Sequence, residues 1–130
     1  MSLRDAPQPA VPSGLQLVQG YGPGSFTIAG VRYQGSVLVF PERTLAWGAA
    51  TAARLGPEGL AEVRAAAASV DILVVGTGAR FELVPPALRQ AVRAWGPVVE
   101  AMATPAACRT YNVLLAEGRR VAAALIAMPG

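Results

Sequence analysis

The spacing of apolar residues changes along the chain from a pattern typical of strands to one typical of helices alternating with strands. Between Leu15 and Phe40, short apolar or β-branched segments alternate with glycine turns, which predicts an antiparallel meander. Its predicted strands are LQLVQ, SFTI, VRY and SVLVF. The continuous apolar run Val37–Phe40 predicts a strand covered on both faces, and a short extended piece follows at Thr44–Trp47.

Downstream of Gly56 the pattern predicts three helices, each followed by a strand. The predicted helices are Pro57–Ser69, a segment from Pro85 or Pro86 to the stop at Gly96-Pro97, and a segment from Thr104 to just before Gly118. Each has a proline in its first turn, and Thr104 is the predicted N-cap of the third. The predicted strands are Asp71–Val75, expected near the middle of the sheet, then Val98–Met102 and Val121–Met128.

This order predicts an α/β fold with three layers, in which an N-terminal β-meander is followed by α-β-α-β-α-β around a mixed central sheet. Residues 15–130 are expected to form a single α/β domain. The proline-containing residues 1–14 are expected to form a flexible N-terminal leader.

Composition adds constraints on the class of protein. Hydrophobic residues make up 53% of the 130 residues and charged residues 15%, which is typical of a globular chain. Charged residues, glycine or proline interrupt every apolar run before the roughly 20 residues that a membrane span needs. The start of the chain has no signal-peptide pattern and the sequence holds one cysteine, so we expect a cytoplasmic protein.

The net charge of +3 and pI of about 9.8 raise the question of nucleic-acid binding. All 11 basic residues are arginines, and the largest cluster is the pair Arg119–Arg120. Stacking aromatics are not interleaved with them. We therefore expect no nucleic-acid partner.

The residue types present exclude several catalytic mechanisms. The chain has no histidine and no lysine, which removes the usual nucleophile-histidine sets and a P-loop. Cys108 lies near the start of the third helix, where the helix dipole lowers a thiol pKa. With no base available, the alternative of a packing cysteine on the apolar face with Tyr111 and Leu115 is favoured. We expect no metal, no cofactor and no catalytic residues, and the sequence leaves open whether the protein is an enzyme.

The turn Gly76-Thr77-Gly78 directly follows a buried strand and is a candidate for binding an anion through its backbone N–H groups. Glu100 follows the turn at about the sequence separation at which a dinucleotide-binding fold places its ribose-binding acid. However, Phe81 replaces the third glycine of that motif and the next helix is delayed. The alternative is a tight strand-to-loop turn, which these departures favour.

A second candidate set consists of Glu100, Thr104, Arg109 and Asn112. Glu100 is placed near the end of a strand and Thr104 opens the next helix, which is where α/β proteins often bind ligands. Arg109 and Asn112 are three residues apart on that helix. The alternative is structural: Glu100 pairs with Arg109 or caps the helix, and Asn112 is solvated or bonded to a neighbouring loop.

Three segments of the chain resemble a known family: ILVVGTG at 72–78, VEAMAT at 99–104 and, above all, ACRTYNVLLAEGRRVAAALI at 107–126. They are similar to the domain of unknown function 498, which includes the mitochondrial respiratory complex I assembly factor 3 and an adipogenesis-associated relative. The resemblance extends from about Tyr21 to the end of the chain. It implies a small α/β domain, and for the mitochondrial relatives a role exerted through protein partners without established catalysis.

Two functional hypotheses follow. The first is a bacterial, non-catalytic protein-interaction or assembly-factor-like module, which contacts a protein partner through the face carrying Arg109 and Asn112 and through the Gly76–Gly78 loop. The second is a small-ligand or nucleotide-binding protein, or a minor enzyme, that uses the Gly76–Gly78 turn with Glu100 and Arg109.

Overall fold

A computed structural model describes residues 14–129, so almost all of the predicted leader lies outside the described residues. The strands of this part are β1 (Val18–Gly22), β2 (Ser25–Ile28), β3 (Val31–Gln34), β4 (Val37–Val39), β5 (Thr44–Ala46), β6 (Ile72–Gly76), β7 (Val98–Met102) and β8 (Val121–Leu125). Its α-helices are α1 (Ala61–Ala65), α2 (Pro86–Trp95) and α3 (Thr104–Ala116).

The strands form two sheets. A small antiparallel sheet has the order β1-β2-β3, and a five-stranded sheet has the order β5-β4-β8-β6-β7. Strand β6 runs parallel to β7 and β8, whereas β4 is antiparallel to β5 and β8. The predicted mixed central sheet is therefore confirmed, with β8 rather than β6 in the middle position.

The meander prediction holds for β1 to β3 and is wrong for β4. After a turn at Gly35, whose φ is +83°, the chain leaves the small sheet and β4 pairs with β8. All three β4 residues are buried. A strand buried on both faces needs a packed layer on each side, and only the central sheet provides two.

The three layers arise because successive side chains of the central strands point to opposite faces of the sheet. Leu73 and Val75 of β6 pack in one apolar cluster with Leu88 and Val92 of α2. Val74, between them in sequence, packs in the opposite cluster, which combines α3 with the small sheet. The predicted three-layer α/β architecture is confirmed.

The first predicted helix is not continuous. Residues 57–69 form a 3-10 turn (Pro57–Leu60), the single-turn helix α1 and a second 3-10 turn (Ala67–Ser69). The backbone departs from helical geometry at Leu60, with φ −117° and ψ 30°. Gly59, a poor helix former, precedes this break, and burial of Leu60 and Val63 fixes the segment against the sheet.

Candidate functional site

The Gly76–Gly78 turn forms a tight junction between the end of β6 and the start of α3. A Cβ atom on Gly76 would lie 2.8 Å from Thr104 Oγ1 and 3.0 Å from Thr104 Cα. A real Cβ atom essentially never lies within 3.0 Å of a non-bonded heavy atom, so glycine permits the close approach of the helix to the strand at this position.

The backbone N–H groups of this turn are engaged within the protein. Thr77 N–H donates to Met102 C=O at 2.9 Å, and Gly78 N–H donates to Thr104 Oγ1 at 2.9 Å. The Thr104 hydroxyl in turn donates to Ile126 C=O at 2.8 Å. This arrangement matches the tight-turn alternative and does not favour binding of an anion by these amides.

Thr104 differs in position and role from its prediction. It is the first residue of α3 rather than its N-cap, which is Ala103, and its hydroxyl makes no capping bond. The hydroxyl is fully buried and joins the carboxyl ends of β6 and β8 to the helix instead. The Thr-Pro pattern correctly located the start of the helix. It could not show that the Thr104 hydroxyl would instead bond to two buried backbone groups, the N–H of Gly78 and the C=O of Ile126.

Asn112 connects α3 to the small sheet. Its Oδ1 accepts the N–H of Val18 at 2.9 Å, and its Nδ2 donates to the C=O of the same residue at 2.8 Å. The side-chain amide thus substitutes for a neighbouring strand at the start of β1, where the pairing with β2 is irregular between Val18 and Gly20. This is a structural role of the kind foreseen for Asn112, directed at a strand rather than a loop.

Glu100 and Arg109 are both exposed, on β7 and on α3 respectively. The Glu100–Arg109 ion pair, one form of the structural alternative for Glu100, is absent from the described residues. Among residues 14–129 the ion pairs within 4.0 Å are Arg43–Glu62 and Arg120–Asp71. The candidate residues are therefore not gathered in one place: the turn, Thr104 and Asn112 serve the interior, while Glu100 and Arg109 face solvent.

Cys108 and Tyr111 lie in the apolar cluster beneath α3. Burial raises the pKa of the Cys108 thiol to about 12, an effect that the nearby Arg109 opposes only partly. At neutral pH the group is a thiol and not the thiolate that a nucleophile needs. The packing role foreseen for Cys108 agrees with this position.

The loop between β6 and α2 exposes two large apolar side chains, Phe81 and Leu83, to which the sequence assigns no binding role. Thr77 Oγ1 lies 2.8 Å from the C=O of Arg80 and accepts the N–H of Glu82 at 3.0 Å, which closes the loop on itself. Phe81 and Leu83 then remain 53% and 77% exposed. In the sequence, this surface could have been recognised from two large apolar residues that lie between the glycine turn and Pro85-Pro86 and fit neither a strand nor a helix pattern.

Two concave regions border these elements. A groove of about 490 Å³ between α2 and β7 is lined by Arg89, Gln90, Arg93, Ala94, Val98 and Val99. A cavity of about 330 Å³ lies at the carboxyl ends of β6 and β8, beside Thr77 and Arg80. Across the described residues, histidine, cysteine and carboxylate side chains form no cluster of three or more that would hold a metal ion. None of the helices described is long and apolar enough to cross a membrane.

Comparison with known proteins places these features in a family. The family model described as "Protein of unknown function (DUF498/DUF598)" matches residues 18–126. An uncharacterised protein of Rhodobacter capsulatus is 43% identical over 118 residues, which cover 91% of this chain and 90% of that protein. The solution structure of a Bordetella pertussis protein, an Mth938-like domain, is similar with a TM-score of 0.79 at 31% identity, covering 98% of this chain and 92% of that one.

Mitochondrial relatives are also found. The mouse protein NADH dehydrogenase (ubiquinone) 1 alpha subcomplex assembly factor 3 is 35% identical over 113 residues, which cover 87% of this chain. The matched region spans 61% of the length of that mouse protein.

Proposed function

The chain belongs to the DUF498/DUF598 family, and from that premise we propose that it is a non-catalytic, assembly-factor-like module that binds a protein partner. Its partner is a subunit or assembly intermediate of a respiratory NADH dehydrogenase, the enzyme in the name of the mouse relative. The cytoplasm is the proposed location.

The observation that carries the proposal is a pair of exposed apolar side chains on the loop formed by residues 79–84. Phe81 and Leu83 are large and largely exposed, and only one residue, Glu82, separates them along the loop. Exposed apolar side chains grouped in this way mark surfaces that another protein covers. Hydrogen bonds of Thr77 hold the loop in shape, so the surface is formed before a partner arrives and binding costs little ordering of the backbone.

The interior junction supports the non-catalytic part of the proposal. The side chains of Thr77, Thr104 and Asn112 are occupied by hydrogen bonds within the fold. The Cys108 thiol is kept protonated by its burial. Thr77, Thr104 and Asn112 therefore contribute to folding, and Glu100 and Arg109 are exposed and do not form a site with them. The small-ligand alternative is accordingly not favoured.

Affinity purification from solubilised native membranes and cytosol tests the proposal. The wild-type chain is expected to recover a reproducible protein partner, and the double variant Phe81→Ser/Leu83→Ser is expected to recover at least about tenfold less, since two apolar anchors are lost. Val31→Ser is the matched control, because Val31 is 51% exposed but lies on β3 of the small sheet. It is expected to retain the partner.

The outcomes separate the two parts of the proposal. Failure to recover any reproducible partner with the wild-type chain would overturn the module role. Recovery of a partner unrelated to NADH dehydrogenase would leave the module role standing and remove the respiratory assignment. Equal recovery by the wild-type chain and the Phe81→Ser/Leu83→Ser variant would remove the loop from the interface.

A further inference from the structure

We propose that the open edge of β7, together with the arginine-lined groove beside it, accepts an extended acidic segment of a partner protein as an added strand. This inference goes beyond the proposed function, because it concerns a different surface and a defined mode of recognition.

Strand β7 is the last strand of the central sheet and pairs only with β6 among the residues described. The N–H of Val98 donates to Asp71 C=O, and the C=O of Met102 accepts from Thr77 N–H, so both residues direct their backbone groups towards β6. In a parallel ladder this direction alternates along the strand. The backbone groups of Val99 and Ala101 consequently point away from the sheet, where an added strand would pair with them.

An arginine side chain currently occupies one of these outward groups. Nη1 of Arg89 donates to the C=O of Val99 at 3.2 Å. A guanidinium over an unpaired carbonyl protects an edge strand from unspecific pairing. Binding would replace this hydrogen bond. An N–H of the incoming strand would donate to the Val99 carbonyl, and the released Arg89 guanidinium would pair with an acidic side chain of that strand.

The positive charge of the groove favours an acidic segment as the added strand. Arg89 and Arg93 are four residues apart in α2 and both line the groove of about 490 Å³ next to the edge. No carboxylate lines this groove. Val99 pairs with Leu73, whose side chain packs on the α2 side of the sheet, so alternate residues of an added strand would face the two arginines. Acidic residues at every second position fit this surface.

The same geometry disfavours a second copy of the chain. Glu100 lies on β7 between the two residues whose backbone groups are open. Antiparallel pairing of two β7 edges in the fully overlapping register would place the two Glu100 carboxylates directly opposite each other. Like charges in that position destabilise strand pairing, and the arginines of the two grooves would also be brought together.

The test uses the full chain, labelled with ¹⁵N, and an acetylated and amidated eight-residue peptide that alternates glutamate with threonine. Saturable binding is expected, with the largest changes in amide shift at Val99 and Ala101, the two amides that gain hydrogen bonds. A matched peptide with lysine in place of glutamate is expected to leave these amides unchanged. A peptide N-methylated on alternate residues, which removes the donors of one edge, should also fail to bind.

Charge variants complete the design. Arg89→Gln/Arg93→Gln is expected to weaken binding of the acidic peptide roughly tenfold, the combined effect of two partly exposed charge pairs. Arg32→Gln/Arg54→Gln carries the same change in charge at exposed sites away from the groove and should bind like the wild-type chain.

The inference would be overturned by shifts confined to other parts of the surface, by equal binding of the lysine peptide, or by no saturation with the acidic peptide. Shifts at Val99 and Ala101 that depend on protein concentration without any peptide would assign the edge to a second copy instead, and would equally contradict the proposal. None of these outcomes depends on whether the 79–84 loop binds a partner.

Discussion

The junction at the start of α3 differs from the two proposed binding surfaces, the 79–84 loop and the β7 edge, in how its polar and apolar groups are used. At the junction, the Gly78 amide and the Thr104 hydroxyl are buried and bonded to each other. On the surface, Phe81 and Leu83 have no apolar cover, and Val99 has an outward-facing backbone. The residues that make the sequence recognisable thus belong mainly to the fold, whereas the surfaces suited to binding lie outside its most distinctive motif.

The sharpest test of this contrast is the glycine at the junction. Gly76→Val is expected to lower the free energy of unfolding by about 3 kcal/mol, because the added side chain would overlap with Thr104 and Leu125 in a packed interior. The matched control is Gly20→Val, since a Cβ at Gly20 meets no atom within 4 Å. Urea denaturation of both variants measures the difference. Equal stability of the two variants would mean that the junction is not close-packed.

The hydroxyl of Thr104 provides the next largest effect. Thr104→Val keeps the shape of the side chain but leaves the N–H of Gly78 and the C=O of Ile126 without their partner, which is expected to cost about 2 kcal/mol. Thr110→Val on the same helix is the control, because it makes the same change of side chain at a position that is not fully buried. Chemical denaturation should separate the two variants, and a neutral Thr104→Val would refute the structural role of this hydroxyl.

These two positions also show what the sequence could reveal. The periodicity of α2 and α3 and the apolar runs of β6 and β7 were sufficient to locate these elements, because their local pattern and their tertiary burial agree. Strand β4 belongs to the central sheet because it pairs with β8, which is distant in sequence, and no local pattern predicts such a pairing. The break in the helix at Leu60 follows a poor helix former, Gly59, and is fixed by the burial of Leu60 and Val63, which is again a long-range effect.

The candidate site was harder to predict than the fold. Thr104 and Asn112 were named as candidate binding residues, whereas in the structure both make hydrogen bonds to residues distant in sequence, Ile126 and Val18. Phe81 and Leu83 carry no motif, and their exposure results from the way the loop closes over Thr77. A side chain's availability to a partner is a property of the folded surface and cannot be derived from residue type alone.

A third effect, which develops only at alkaline pH, is expected from Cys108. Its pKa is raised by burial from 9.0 to about 12, so the folded state retains the proton after the unfolded chain has lost it. The resulting stabilisation is complete below pH 9 and is lost as the pH rises from 9 towards 12, at about 1.4 kcal/mol per pH unit. Comparing unfolding free energies of the wild-type chain and Cys108→Ala at several pH values should show a shallower alkaline decline in the variant. Identical slopes would contradict the burial of the thiol.

Hydrogen exchange on the complex with the partner recovered by affinity purification tests the central claim most directly, since it reports which amides a partner covers. Binding is expected to protect the amides of Phe81 and Leu83, whereas the amides of Gly78, Glu82 and Thr104, already bonded within the protein, should change little. Protection confined to the outer face of α3 around Arg109, with the 79–84 loop unchanged, would contradict the account.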